Sequence, residues 1–192
     1  MGRKSLKDVR SAQILDAFEE CILEYGLEKS SFQRIAARAG VQRTLITHYF
    51  GTREALVEEV VARILARYAA AGERALAEVP EAEQLEAAVD LLFDLETSPR
   101  ENTLYQALFW AAETDAKIRR LLNQATEGWI DGYRELLTAR FPEASPERID
   151  STASGLVALS YGGWTLLAVD ASPSVMKTLR RAAGDLLAGL AS

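Results

Sequence analysis

Apolar residues recur at intervals of three and four positions along most of the chain, and this spacing constrains the fold more than any other feature. The interval matches one face of an α helix, whereas a half-buried strand would alternate apolar and polar residues. No window alternates convincingly in that way, and long helical stripes run over residues 53–78 and 116–140. We therefore predict an all-α protein of about nine helices.

The prolines mark where these helices break. Ser145 before Pro146, and Ser172 before Pro173, each place a hydroxyl ahead of a proline, which is typical of an N-cap followed by the first helical residue. Gly26 is predicted to end the first helix, because glycine readily adopts the conformation of a C-cap. All five prolines lie beyond residue 79, at Pro80, Pro99, Pro142, Pro146 and Pro173.

The charge of the chain is distributed unevenly. The net charge is −6, yet residues 1–53 contain nine Lys and Arg against six Asp and Glu, while the remainder contains 13 against 22. Such an asymmetry suggests a basic module with a polyanionic partner. Within it, residues 29–53 (KSSFQRIAARAGVQRTLITHYFGTR) contain five basic residues and no Asp or Glu. Chance is the alternative explanation for this acid-free window.

Two short helices fit inside the acid-free window. Ser30 and Gln33 match a capping box that would open a helix over about 31–38. Gly40 can adopt the positive φ of a tight turn, and a second helix is predicted over about 42–49. This pattern indicates a helix-turn-helix, in which the second helix enters the DNA major groove. A surface that faces phosphates attracts Arg and Lys and repels acids, which explains the missing carboxylates.

The segment AARAGVQRTLITHYFGTREAL resembles the recognition segment of the TetR family of bacterial transcriptional regulators. The resemblance covers about residues 9–60, and the remaining helices match the family in length and number. It implies an N-terminal three-helix DNA-binding domain over 1–52 and a helical effector-binding and dimerisation domain over 53–192, linked by the helix at 53–78. The matching residues are Ala36, Ala39, Gly40, Val41, Tyr49, Phe50, Glu54 and Leu56.

The resemblance also implies roles for individual residues. Arg43 and Thr44 would face base edges, whereas Tyr49 and Arg53 would contact phosphates. This chain departs from the family pattern at Gln42, where a capping Ser is common, and at Thr47, where a Tyr is usual. His48 is the only histidine, and we interpret it as a DNA-surface residue, with a neutral structural role as the alternative. The predicted DNA-binding residues are Ser31, Gln33, Arg34, Gln42, Arg43, Thr44, Thr47, His48, Tyr49 and Arg53.

Aromatic residues are numerous in the C-terminal helices. At helical spacing they can be ordinary core residues, or some of them can line a pocket, which the family resemblance favours. Asn102, Gln106 and Thr126 are candidates for additional polar groups of such a pocket, and an apolar or aromatic small-molecule effector is favoured. The predicted pocket residues are Phe93, Tyr105, Phe109, Trp110, Glu113, Trp129, Tyr133 and Trp164.

Small residues on the last two helices suggest self-association. Ser154-Gly155, Gly162-Gly163 and the pair Gly184 and Gly189 would allow close packing. We predict a homodimer through helices 146–169 and 173–190, since a two-fold dimer suits a palindromic operator. The alternative is an ordinary helical pair within one subunit.

The function best supported by these features is a dimeric DNA-binding repressor that a small-molecule effector releases. An enzyme is disfavoured because the chain lacks paired catalytic carboxylates, a metal-ligand cluster and a phosphate loop, so we expect no cofactor. An adaptor that binds another protein is also disfavoured, because a protein-binding surface does not require the absence of every carboxylate from the acid-free window. The single Cys21 forms no internal disulfide, and neither a signal peptide nor an apolar run long enough to span a bilayer is evident. We therefore expect a cytoplasmic protein.

Overall fold

The computed structural model describes residues 6–94, 99–169 and 171–191, and this part of the chain is helical without a strand, as predicted. A single 3-10 turn, Glu81–Glu83, precedes the fifth helix. The nine described α helices are α1 Leu6–Tyr25, α2 Phe32–Ala39, α3 Arg43–Phe50, α4 Arg53–Leu76, α5 Gln84–Leu92, α6 Pro99–Ala111, α7 Ala116–Arg140, α8 Pro146–Ala168 and α9 Ser174–Leu190.

The contacts within the chain divide it into two compact units. Unit one combines Met1–Arg67 with Arg100–Leu122, and unit two combines Tyr68–Pro99 with Asn123–Ser192. Unit one thus contains the helix-turn-helix and also most of α6, which follows it in sequence by some fifty residues. A domain boundary between residues 52 and 53 stays a prediction.

The core of unit one holds α2 and α3 against α1. Ile14, Phe18, Ile35 and Ile46 are each fully buried, and they come from all three helices. Burying a side chain of this size contributes about 1.5–3 kcal/mol. Val9, which the spacing places on the same helix as Ile14 and Phe18, is 49% exposed. The apolar face of α1 therefore begins at Ile14, more than one turn after Val9.

Unit two is organised around α8 and α9. Their backbones approach closely at Gly163, where an added Cβ would lie 2.7 Å from Sδ of Met176 and 2.9 Å from a methyl of Leu179. Helix α5 adds Leu85 and Val89 to the same buried cluster. Gly163, and also Gly155 beside Leu186, therefore serve packing within one chain.

Of the two predicted N-caps after α7, Ser145 is confirmed and Ser172 is wrong. Ser145 is the N-cap of α8, accepting a bond from the Arg148 N–H at 3.4 Å, with Pro146 as the first helical residue. Helix α9 instead begins at Ser174 with Pro173 at the N-cap. Ser172 lies one position further out, and its hydroxyl accepts from the Ser174 N–H at 3.4 Å. Its capping effect therefore operates within a short turn that precedes the helix.

Candidate nucleic-acid interface

The start of α2 differs from the predicted capping box. The N-cap is Ser31, whose hydroxyl accepts a bond from the Arg34 N–H at 3.3 Å. Ser30 is fully buried and donates to the Gly26 carbonyl at 2.7 Å. The prediction of Ser30 and Gln33 as a capping pair was wrong, because Ser30 is recruited by the C-terminal end of α1. Two adjacent serines satisfy two different helix ends.

The turn between α2 and α3 depends on Gly40, as predicted. Its φ is +63°, in the left-handed region that favours glycine. Its N–H and that of Val41 satisfy carbonyls at the end of α2, with the Val41 N–H 3.0 Å from the Ala36 oxygen. The Gln13 amide donates to the Ala39 carbonyl at 2.7 Å. Helix α1 therefore supports the turn directly and orients α3.

Helix α3 has one buried side and one exposed side. Ile46 is fully buried and anchors the helix to the core of unit one. The residues on the other side are one, three or four positions apart in the sequence, so they form one continuous helix face. The exposed residues of this face are Arg43, Thr44, Thr47 and His48. They can donate and accept hydrogen bonds, as reading base edges requires.

Two residues at the ends of α3 have distinct environments. Gln42 is the N-cap and makes no side-chain capping bond, in agreement with its departure from the capping Ser of the family pattern. Tyr49 is half-buried, and its ring meets that of His48 edge-on with centroids 5.4 Å apart. His48 itself is exposed. The pair therefore lies at the border between the exposed face of α3 and the interior.

The predicted residues of α2 are exposed, and one of them is held in place. Ser31, Gln33 and Arg34 all lie on the surface. The Arg34 guanidinium stacks over the Tyr25 ring at 4.5 Å and donates to the Lys29 carbonyl at 2.6 Å. Such stacking restricts a long side chain. Arg34 is thus held beside the N-terminus of α2, where a phosphate would also meet free N–H groups.

Arg53 has a structural role that its position in the sequence does not reveal. One of its terminal nitrogens donates to the Ser30 carbonyl at 2.6 Å, and the other donates to the Leu27 carbonyl at 2.9 Å. These carbonyls belong to the turn between α1 and α2. Arg53 therefore connects the start of α4 to that turn, while its assignment as a phosphate contact stays a prediction.

The tertiary structure brings an acid to the acid-free window. Glu24 of α1 forms an ion pair with Arg38 of α2. This pair neutralises one of the five basic residues of the window. Sequence separation conceals the contact, since the two residues are 14 positions apart. Lys29, Arg34 and Arg43 are exposed, and within the described part of the chain no acidic side chain forms an ion pair with them.

The predicted effector residues are divided between the two units. In unit one, Tyr105 is buried with its ring 6.3 Å from that of Phe109. Phe109 and Trp110 are 45% and 59% exposed, and Glu113 is exposed. In unit two, Phe93 lies in the core cluster. The assignment of all eight residues to one pocket stays a prediction.

The other aromatic residues of unit two fall into two groups. Tyr133 and Trp164 pack against the core cluster, and the Tyr133 hydroxyl donates to the Ala88 carbonyl at 2.7 Å. Trp129 instead lies between Tyr68, at 5.0 Å, and Tyr161, at 6.2 Å between ring centroids. The Tyr161 hydroxyl is 2.9 Å from that of Thr126. We call Tyr68, Trp129 and Tyr161 the aromatic triad.

The sequence prediction of pocket residues missed Tyr68 and Tyr161. Tyr161 precedes Trp164 by three residues on α8, so the helical spacing that selected Trp164 could also have selected Tyr161. Tyr68 lies on α4, far from the other two in sequence, and no local signal marks it. Thr126, predicted as a polar group of the pocket, does contact the triad through Tyr161.

Among residues 6–94, 99–169 and 171–191, no group of three or more His, Cys, Asp or Glu is arranged to hold a metal ion. No helix among those ranges combines the length and the apolar character needed to cross a membrane.

A helix-turn-helix with an exposed polar face on its second helix, followed by a larger helical part, defines a class of DNA-binding transcriptional regulators. The family model for bacterial regulatory proteins of the tetR family matches residues 14–60. The model for the C-terminal part of BetI-type transcriptional repressors matches residues 80–192. The chain belongs to the TetR family of bacterial transcriptional regulators, which confirms the resemblance seen in its recognition segment.

Individual relatives agree with this assignment. The HTH-type transcriptional regulator BetI of Burkholderia thailandensis is 29% identical over 192 residues, covering 97% of this chain and 96% of the relative. A transcriptional regulator from Streptomyces coelicolor A3(2), SCO7518, is 28% identical with a TM-score of 0.71, covering 93% and 98% of the two chains. A regulator from Saccharomonospora viridis, solved in complex with choline, shares the fold with a TM-score of 0.79 at 19% identity, covering 92% and 94%.

Proposed function

We propose that the protein is a dimeric repressor that binds a palindromic operator and is released by a small cationic effector. The observation that carries the DNA-binding part is the exposed face of α3. Its side chains point away from Ile46, and Gly40 and Gln13 fix the angle at which the helix is presented. A helix presented in this way fits the major groove, with Arg43 able to make a bidentate contact to guanine.

Selection of bound duplexes from a random DNA pool, followed by gel-shift titration, tests this part of the proposal. The full-length protein should enrich an inverted repeat whose half-sites are about 34–36 Å apart or a multiple of that distance. Enrichment of no sequence, or binding of random DNA as tight as binding of the selected site, would contradict it.

Helices α8 and α9 support the proposed dimer. Leu166, Val169 and Leu186 are among the exposed large apolar side chains, at 42%, 66% and 38%. Such residues on one surface mark an interaction site. After Asp150 the exposed positions of α8 carry no charge, and they are Ser151, Ala158, Gly162, Thr165, Leu166 and Ala168, with exposed Val169 following at the C-cap. A two-fold axis would pair this face with the same face of a second copy.

Sedimentation at micromolar concentration tests the dimer. We expect the wild-type chain to sediment as a dimer and Ala158→Arg to shift it towards the monomer, because a charge would be buried without a partner. Lys177→Ala, at an exposed and charged position of α9, is the matched control and should leave the dimer intact. A monomeric wild-type protein would exclude this interface.

The aromatic triad supports the effector part of the proposal. Aromatic faces bind quaternary ammonium groups through cation–π attraction, worth about 0.5–2 kcal/mol for each contact. The choline bound by the regulator from Saccharomonospora viridis has such a group. We therefore favour a quaternary ammonium compound over the purely apolar or aromatic effector that the sequence suggested.

Tryptophan fluorescence and gel shift, with choline and its uncharged isostere 3,3-dimethylbutanol, test this choice. Choline should quench Trp129 and weaken operator binding, and Trp129→Leu should abolish both effects. Release of DNA by the uncharged compound at the same concentration would favour an apolar effector instead. No response to either compound would exclude the cationic class.

A further inference from the structure

One buried side-chain donor of unit two has no partner. The indole nitrogen Nε1 of Trp164 is closed to solvent, and no acceptor in the described part of the chain forms a hydrogen bond with it. An indole N–H can donate and cannot accept. Roughly 90% or more of the buried polar groups in proteins are hydrogen-bonded, so this unpaired donor requires an explanation.

Two other hydroxyl groups of unit two show the usual arrangement. The Ser160 hydroxyl, one turn before Trp164 on α8, donates to the Leu92 carbonyl at 3.1 Å. The Tyr133 hydroxyl donates to the Ala88 carbonyl at 2.7 Å. A phenylalanine at position 164 would fill most of the same space without burying a donor. The N–H of Trp164 therefore destabilises the free protein, and a bound acceptor would remove this cost.

Trp164 is a neighbour of the aromatic triad on α8. Tyr161, a member of the triad, precedes it by three residues, and side chains three positions apart are adjacent on a helix surface. The ring of Tyr161 contacts that of Trp129, which in turn contacts that of Tyr68. All four residues belong to unit two. The side chain with the unpaired donor therefore lies beside the aromatic faces that are proposed to bind a quaternary ammonium group.

The environment of Trp164 favours an uncharged acceptor. Tyr133 packs against the same core cluster as Trp164. Burial raises the pKa of the Tyr133 phenol, because a negative charge is poorly solvated in this part of the protein. A carboxylate would meet the same penalty, whereas a hydroxyl or carbonyl oxygen would not.

An acceptor reaches this donor only after a local rearrangement. The indole as a whole is half-buried, but Nε1 itself is closed to solvent. Neighbouring side chains must therefore separate before an oxygen can lie within bonding distance. A hydrogen bond that forms only in the rearranged state stabilises that state relative to the closed one.

We propose that the indole N–H of Trp164 binds an uncharged oxygen of a quaternary ammonium effector, so that Trp164 selects compounds with a hydroxyl or carbonyl group near the cation. The aromatic triad holds the cation, and Trp164 recognises the oxygen. The inference rests on the proposed function, since it names the part of the effector that aromatic faces cannot distinguish. A compound with alkyl groups alone would bind the triad and leave Nε1–H unpaired.

Calorimetric titration of the full-length protein with choline and with n-propyltrimethylammonium, in which a methyl group replaces the hydroxyl, tests this selection. The wild type should bind choline about tenfold more tightly, because its donor is already removed from water before the bond forms. Trp164→Phe should bind the two compounds within about twofold of each other. Trimethylglycine, whose oxygens belong to a carboxylate, should bind the wild type more weakly than choline.

Trp129→Phe provides the matched control, because it makes the same exchange of ring at a residue that contacts the cation and not the oxygen. Phenylalanine attracts a cation less strongly than tryptophan does, so this variant should bind both compounds more weakly by a similar factor. It should keep the preference for choline that Trp164→Phe loses. Thermal melting of both variants establishes that they fold.

Nuclear magnetic resonance of the wild type gives a second measurement that does not require the Trp164 variant to fold. The chain has three tryptophans, so the indole N–H signal of Trp164 is assigned by elimination from Trp110→Phe and Trp129→Phe. Choline should move this signal downfield, as expected when a hydrogen bond forms, and n-propyltrimethylammonium should not.

Three results would overturn the inference: equal affinity of the wild type for the two compounds, a preference for choline that persists in Trp164→Phe, or the same response of the Trp164 signal to both compounds. Trimethylglycine binding as tight as that of choline would overturn the assignment of an uncharged oxygen. Failure of the proposed function gives a different result, in which none of the three compounds binds the wild type, and the inference then fails with it.

Discussion

The guanidinium of Arg53 donates to the Ser30 carbonyl at 2.6 Å, although 23 residues separate them in the chain. Together with the bond to Leu27, this contact ties the first residue of α4 to the turn that begins the helix-turn-helix. Arg53 therefore supports the DNA-binding fold, while the phosphate contact predicted for it at the N-terminus of α4 is a separate role that stays a prediction. A substitution can separate these two roles.

Arg53→Ala should lower the free energy of unfolding by about 1.5–3 kcal/mol, because hydrogen bonds to a charged donor are lost. If Arg53 also contacts a phosphate, the slope of log affinity against log salt should fall by about one unit. Chemical denaturation and gel shifts at several salt concentrations measure the two effects. Arg74→Ala, at an exposed position of α4, should change neither. An unchanged slope with reduced stability would assign Arg53 to the fold alone.

Arg43→Ala should weaken binding of the selected operator by about 1–3 kcal/mol, since a bidentate contact to guanine would be lost. Random DNA should be bound nearly as well as by the wild type, because its affinity comes from phosphate contacts. Titration of both duplexes at one salt concentration gives the comparison. Equal losses on the two duplexes would reassign Arg43 to a phosphate.

Gly40→Ala should destabilise the protein by about 1–2 kcal/mol, which is the strain of a side chain in the left-handed region. No atom lies within 4 Å of the added Cβ, so the backbone conformation alone is tested. Gly132→Ala, in a helix with the same open space, should instead stabilise it by about 0.5–1 kcal/mol. Thermal melting of both variants measures the contrast, and two shifts of the same sign would contradict this account of the turn.

Tyr133→Phe should cost about 0.5–1.5 kcal/mol, because the Ala88 carbonyl loses its hydrogen bond. Burial strongly raises the pKa of Tyr133, so its phenol stays protonated at a pH at which an ordinary tyrosine ionises. Alkaline titration by absorbance should therefore show the same early transition in the wild type and in the variant. A variant that lacks an early-titrating tyrosine would show that Tyr133 is accessible.

The loss of folding stability at acid pH should depend on Glu147. A hydrogen bond from its own backbone N–H, and then one from the Ser145 hydroxyl, lower the pKa of Glu147. The pKa of Glu147 is lower in the folded protein than in the unfolded chain. Glu147 therefore stabilises the fold at a pH above its unfolded-state pKa, and this stabilisation is lost as the pH falls through its folded-state pKa. Glu147→Gln should flatten stability over that interval, whereas Glu135→Gln, in the middle of α7, should not. Identical pH profiles for Glu147→Gln and the wild type would contradict this.

Local patterns were sufficient to predict most helices and the recognition helix. The signals used act over one or two helical turns, which a sequence displays directly. They are the helical spacing of Ile14 and Phe18, the hydroxyl of Ser145 before Pro146, and the glycine at position 40. The one-residue errors at Ser30 and Ser172 arose where two adjacent groups compete for nearby helix ends. Local sequence alone cannot rank such competitors, because adjacent hydroxyl groups can each bond to either helix end and the packed backbone decides between them.

The all-α class, the acid-free window and the exposed residues of α3 follow from the amino-acid sequence, because each depends on side chains close together in the chain. Three contacts became visible only after folding: Arg53 holds the turn at Ser30, Tyr68 and Tyr161 flank Trp129, and Glu19 joins α1, α4 and α6. These contacts link residues tens of positions apart. The partners of long Arg and aromatic side chains depend on which groups lie nearby in space and on how far those groups are removed from water. Both conditions are set only when the helices pack.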